Sequence, residues 1–216
     1  LAQPQKDRKA GRDALDGAGR QPRENFNPNC SKEPLMSVIK TPVGTLSYPN
    51  FYVPRERVQS NGEKVFSGVL LYTSQQTKSE QWKAMTQAVE ALARKSFPKL
   101  ILGKGVRSPI RRCDEKDDNP FPDECEFFIN AWSKQKPGVV DAALNDILDS
   151  SDVWPGQLAR FAVTPFAYEK QGNKGVSFAL ENVQVVKSEG MKRLDGRKSA
   201  ADRFDDDELG DYDDKV

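Results

Sequence analysis

The sequence predicts an all-β domain carrying one added helix, with irregular ends, and three observations point there. Several short runs alternate apolar and polar residues between Pro, Gly and Asn punctuation. Only residues 79–97 repeat apolar positions at spacings of three and four. Both ends of the chain, residues 1–36 and 202–216, lack apolar periodicity. With 216 residues, 37% of them hydrophobic, one modest core is what the chain can build.

Taken in order, residues 1–36 are rich in Arg, Gly, Pro, Gln and Asn and cannot bury enough surface to offset their conformational entropy. They read as a disordered leader, with Met36 a candidate start of the native protein. The domain proper spans 37–187. Its first strand is "TPVGTLSYPNFYVP", whose terminal prolines suit an edge. Asn61-Gly62 signals a tight turn into "KVFSGVLLYT", the second strand. "SEQWKAMTQAVEALARKSF" is the helix, with Ser79 as N-cap, Trp82, Met85, Val89, Leu92 and Ser96 on one face, and Pro98 beyond its end. Residues 100–125, with their Gly, Pro and acidic content, read as a long irregular connection of the kind that is usually functional or mobile. "EFFINAWSKQKPGVV" gives the third strand, a turn at Pro137-Gly138 and a short extension, and "DSSDVWPG" has the capping residues of one helical turn. "QLARFAVTPFAYEK" and "GVSFALENVQVVK" form a hairpin across "QGNKG", with Pro165 at a bulge or edge. Five strands fit a Greek-key barrel of the oligonucleotide/oligosaccharide-binding type, the OB-fold. The helix between strands two and three is a decoration on that plan.

Composition narrows the chemistry. The chain has no His, which removes Ser-His-Asp and Cys-His catalysis and the commonest general base. Cys30, Cys113 and Cys125 are odd in number and widely spaced, which argues against a disulfide framework and suits a reducing compartment. No apolar run reaches the roughly 20 residues of a spanning helix, and no signal peptide is visible, so a cytoplasmic protein without membrane contact is expected. No metal or other cofactor is implied. The net charge of +1 conceals a segregation, because residues 202–216 hold eight acidic residues against Arg203 and Lys215 and so carry −6. The rest of the chain is a basic body at +7, reached from the tail through a basic linker over 188–201 that contains Lys192, Arg193, Arg197 and Lys198.

The third strand carries the most specific signal. Alternation places Phe127, Ile129 and Ala131 on one face and Phe128, Asn130, Trp132, Lys134 and Lys136 on the other. Rings beside ammonium groups match single-stranded nucleic acid, whose bases stack on aromatics and whose phosphates attract cations. Packing of Phe128 and Trp132 beneath the 100–125 connection or the helix is the competing explanation. The hairpin repeats the mixture, with Phe161 and Val163 on the core face and Arg160, Phe166, Tyr168 and Lys170 on the other, and Lys174 at the turn. Arg55, Arg57, Lys104, Arg107, Arg111 and Arg112 extend a basic rim. In the tail, Phe204, Leu209 and Tyr212 are interleaved with Asp205, Asp206, Asp207 and Glu208, a pattern suited to a partner's basic, apolar groove. A polyanion tethered near a cationic groove also competes with nucleic acid.

Four stretches, "TPVGTLSYPNFYVPR", "FFINAWSKQKPGVVD", "DVWPGQLARFAVTPFAY" and "GNKGVSFALENVQVVK", in this order before an Asp-rich end, resemble a family of bacteriophage single-stranded DNA-binding proteins. The resemblance covers roughly Val38 to Val186 plus the tail. It implies an OB-fold core that coats single-stranded DNA without sequence preference during phage replication and recombination. It further implies an acidic C-terminus that contacts replication or recombination proteins, and it accounts for the placement of the helix. Two alternatives stand beside it. One is a metal-dependent nuclease using Asp114, Asp117, Asp118, Asp123, Glu124 or Glu126 as Mg²⁺ ligands, although the acid, spacer and Lys of a Pro-Asp nuclease motif do not follow Asp123. The other is a single-stranded RNA-binding protein.

Overall fold

Alternation becomes strand throughout the computed structural model, which describes residues 37–57, 62–115, 121–170 and 172–197. The described strands are β1 (Ile39–Lys40), β2 (Gly44–Glu56), β3 (Lys64–Tyr72), β4 (Ile101–Leu102), β5 (Gly105–Val106), β6 (Ile110–Arg112), β7 (Phe127–Ser133), β8 (Gly138–Val140), β9 (Leu158–Lys170) and β10 (Asn173–Lys187), with helix α1 (Glu80–Ser96) after β3. Five of them close a circuit through the pairings β2–β3, β3–β7, β7–β10, β10–β9 and β9–β2. β7 and β10 run parallel and the other four pairs antiparallel. The seam between β9 and β2 is narrow, formed by Gly44 opposite Ala159 and Thr45 opposite Leu158. β1 extends the sheet beside β9, β8 beside β10 and β6 beside β7, while β4 and β5 pair separately.

Every second residue of the circuit points inward. Leu46, Phe51, Leu70, Tyr72, Ile129, Phe161, Val163 and Phe178 are fully buried there, and the predicted core residues Phe161 and Val163 are among them. Helix α1 lays Met85, Val89 and Leu92 on this core, and Trp82 meets Tyr72 and Phe127 edge-on or tilted at 5.0 and 5.5 Å. Its start is where the sequence puts it, because the Ser79 hydroxyl accepts a hydrogen bond from the Trp82 N–H at 3.2 Å. Asp149 caps the one-turn helix over Ser150–Asp152 by accepting from the Ser151 N–H at 2.8 Å. Pro165 sits in β9 just past Val163, the last residue of that strand paired with β1, so its missing N–H costs no described ladder bond on that side. The register of this hairpin shifts instead between Leu180 and Asn182 and again between Val185 and Lys187.

Three features depart from expectation. The 100–125 connection contains β4, β5 and β6, too short to show a period in sequence. Cys113 and Cys125, whose number and spacing argue against a disulfide framework, are bonded as a disulfide with their Cα atoms 5.9 Å apart. Sequence separation hid the pairing, which arises because β6 lies antiparallel to β7 with Arg112 opposite Phe127, so the flanking cysteines meet at the end of the ladder. Finally, residues 188–197, part of the basic linker, run back against the body, with the Leu194 N–H donating to the Pro155 carbonyl at 2.9 Å. Residues 198–216 lie outside the described residues, as do the leader, Cys30, Asp117 and Asp118.

Candidate nucleic-acid interface

The outward positions of β3, β7, β10 and β9 assemble one continuous face. Trp132 lies opposite Ser67 on β3 and Ala179 on β10, and Phe166 on β9 lies opposite Ser177. The Trp132 indole N–H donates to the Ser177 hydroxyl at 3.2 Å, and the ring meets Phe166 edge-on at 5.8 Å. Both contacts fix the ring while leaving it half-buried. The Arg57 guanidinium lies 4.3 Å from the Trp132 ring centroid. A planar cation stacked on indole presents positive charge to a phosphate and a flat surface to a base.

Connections flank this face. In barrels of this plan the second and third strands and the loops joining strands one to two and four to five carry oligonucleotides. Here those strands are β3 and β7, and the connections begin at Arg57 and Lys170. Lys134 pairs with Glu63 at 2.6 Å. The Glu63 carboxyl is held below the usual carboxylate range, chiefly by the Lys134 hydrogen bond and charge and further by Arg57 and Lys170. One carboxylate thus senses three cations, one from the strand end and two from the flanking connections.

The structure sorts the predicted site residues. Trp132, Phe166, Lys134 and Lys170 converge as described. Arg111 and Tyr168 share the face farther along: the Arg111 guanidinium lies 4.5 Å from the Phe128 ring, and the Tyr168 ring lies across Gly175 so closely that a Cβ there would come within 2.6 Å of its Oη. Burial lowers the Arg111 pKa from its ordinary value.

Phe128 is corrected. At 2% exposure it belongs to a small outer core with Leu71, Cys113 and Phe121, covered by the connection that the disulfide ties down. Arg112 goes to the other face: it alternates with Arg111, lies 5.7 Å from the Phe127 ring on the helix side and is bound bidentately by Asp114. Lys174 pairs with Glu169 at 3.1 Å and faces Phe97, also on the helix side. Lys136 lies past the end of β7, where alternation no longer holds, and sits 5.2 Å from the Tyr52 ring. Arg160 shares the outward parity of β9 but stands six residues from Phe166, about 20 Å along a strand, and its Nε donates to Gln184 at 2.7 Å.

Asn130 shares this face, as alternation expects. Two features were missed. Ser67 adds a polar outward position on β3. Beside it opens a cleft of about 810 Å³ whose lining includes Tyr48, Phe121, Trp154, Arg55, Arg193 and Arg197. The visible signal was Tyr48-Pro49 inside a strand, since a proline there demands a bulge. Of the carboxylates considered as metal ligands, Asp114 is engaged by Arg112, which lowers its pKa, and no group of three or more potential ligands occurs among the described residues. No helix among the described residues is long and apolar enough to cross a membrane.

Residues 36–215 match the family described as "Enterobacter phage Enc34, ssDNA-binding protein". No curated protein matches the chain. Among solved structures, the fold is similar to the single-stranded DNA-binding protein from bacteriophage Enc34 in complex with ssDNA, at 19% identity and a TM-score of 0.59, covering 70% of this chain and 87% of that one. It is also similar to gp2.5, a single-stranded DNA binding protein encoded by bacteriophage T7, at 15% identity and a TM-score of 0.51, covering 78% of this chain and 97% of that one. At such identities the likeness is one of fold.

Proposed function

The chain belongs to the family of the Enterobacter phage Enc34 ssDNA-binding protein, and on that premise we propose that it binds single-stranded DNA in phage replication and recombination, coating the strand without reading its sequence. The observation that carries this reading is the Trp132–Phe166 pair with Arg57, Lys134 and Lys170 around it. Each unpaired base has a π-face for the aromatic pair, and each phosphate a cation nearby. Duplex DNA conceals its base faces and loses that half of the interaction. The role requires no catalytic group, so we read the protein as non-enzymatic and as working in the host cytoplasm, where phage DNA is copied. The acidic tail, Phe204 to Tyr212 in particular, is read as the segment that recruits replication or recombination proteins and competes with DNA for the basic body.

Titrating oligo-dT, matched RNA and duplex at several salt concentrations tests the reading, using the full chain and one lacking residues 202–216. Binding to dT exceeds binding to duplex, and log K falls with log salt at about 0.7 per phosphate contact. The shortened chain binds more tightly at low salt. Equal affinity for single and double strands sinks the stacking model, and unchanged low-salt affinity of the shortened chain removes the competition. RNA bound as tightly as dT shifts the reading to single strands of either kind.

A further inference from the structure

We propose that the cleft between the β2 bulge and residues 150–155 and 193–197 is an additional nucleotide subsite, taking an unpaired base against Tyr48 and the flanking phosphates against Arg55 and Arg197. The inference rests on the function proposed above and extends its surface beyond the barrel face.

The cleft is built rather than incidental. Gln157, with 0% exposure, accepts from the Trp154 N–H at 2.8 Å and donates from Nε2 to the Asp152 carbonyl and the Ser188 hydroxyl at 2.8 and 2.7 Å. This buried amide ties the 152–154 turn to the start of the C-terminal segment. Gly156 lets that segment lie flat, because its φ is +118° and a Cβ would come within 2.2 Å of the Lys192 carbonyl oxygen. The segment so pinned brings Arg193 to 5.0 Å from the Trp154 ring centroid, where Asp195 holds its guanidinium by two hydrogen bonds of 3.0 and 2.8 Å. Arg197 extends from the same segment with its side chain 79% exposed and its Nε 3.9 Å from the Asp195 carboxylate, a loose pairing that leaves the rest of the guanidinium facing solvent.

Tyr48 forms the opposite wall. The register slips between Ser47 and Asn50, and Tyr48 takes a φ of +47°, uncommon for a bulky residue and more so before a proline. The bulge turns its ring outward to 53% exposure, edge-on to Phe121 at 6.5 Å. Strain of this kind is concentrated at ligand sites, and here it presents an aromatic ring to solvent.

Charge and continuity select the occupant. Three arginines and one aspartate are the charged residues lining the cleft, so it attracts anions. Its Asn50 lies opposite Ser67, which is itself opposite Trp132, placing cleft and barrel face about two strand spacings, roughly 10 Å, apart. A strand bound at Trp132 reaches the cleft by crossing β3.

The test is fluorescence anisotropy of the full chain with labelled dT of about 4 and about 16 nucleotides, the span of site sizes for such barrels. Tyr48→Asn removes the ring while keeping a residue that tolerates positive φ, and Arg197→Ala alters an exposed side chain. The proposal predicts that Tyr48→Asn weakens binding of the longer oligonucleotide about 10-fold and leaves the shorter unchanged. Arg197→Ala lowers the salt slope of the longer one by about 0.7. Unaltered affinity and slope in both variants overturn the subsite, and so does tighter binding by Arg197→Ala, which would mean that an anionic segment of the chain itself fills the cleft. Trp132→Ala separates the two levels, since it weakens both lengths if the barrel face binds DNA. Its silence would dispose of that reading, whereas silence of the cleft variants alone would dispose of the subsite only.

Discussion

Phe128 and Trp132 stand four residues apart on the same face of β7, in very different surroundings. At the Phe128 end, the connection carrying Cys113, Phe121 and Cys125 closes over the strand, the disulfide fastens it, and Arg111 covers the ring. At the Trp132 end the ring stays half-buried among the described residues; the indole is steadied by Ser177 and Phe166 and shares its surface with Arg57. One end of the strand is therefore a place to gain folding free energy, and the other is the place where we propose that a ligand is received. Parity along a strand decides which side of a sheet a ring occupies, and a distant connection decides whether that side is covered.

The sharpest way to break this comparison is to truncate both rings. Phe128→Ala is expected to destabilise the fold by about 3–5 kcal/mol in a denaturant titration while the folded fraction keeps its affinity for oligo-dT. Trp132→Ala is expected to do the converse, weakening dT binding by about 1–3 kcal/mol with a small effect on stability. If both substitutions act on stability alone, the two ends do not differ in role. Next in size, Lys170→Ala should lower the salt slope of dT binding by about 0.7, whereas Lys136→Ala, whose ammonium sits by Tyr52, should leave it unchanged. The smallest effect concerns Glu63. Its carboxylate competes with phosphate for Lys134, so Glu63→Gln should tighten binding slightly at neutral pH. Because the Glu63 pKa is lowered in the folded protein, the wild type should gain the same increment only as pH falls through that lowered value, and Glu63→Gln should show no such gain.

Much of the barrel was legible in the sequence because it depends on local pattern. The five main strands follow from period two, and α1 from its spacing, the Ser79 cap and Pro98. Trp132 with Phe166 was legible for the same reason. What escaped depends on contacts between distant segments. Arg111 and Arg112 go to opposite faces because β6 becomes a strand only by pairing with β7. Phe128 is covered by Arg111, Cys113 and Phe121, from a connection 7 to 17 positions upstream, and packs beside Leu71, 57 positions away. Lys136 follows a turn, where alternation has no authority. The cleft depends on a C-terminal segment docking at Gly156, which composition alone renders as a charged linker.

The most direct test isolates the light emitted by one ring. In a chain carrying Trp82→Phe and Trp154→Phe, Trp132 is the sole indole, and its fluorescence can be followed as oligo-dT is added while anisotropy of the labelled oligonucleotide reports binding. The account predicts saturable quenching that tracks the anisotropy and is reversed by salt. Full binding by anisotropy with Trp132 emission unchanged would place the DNA elsewhere and contradict it.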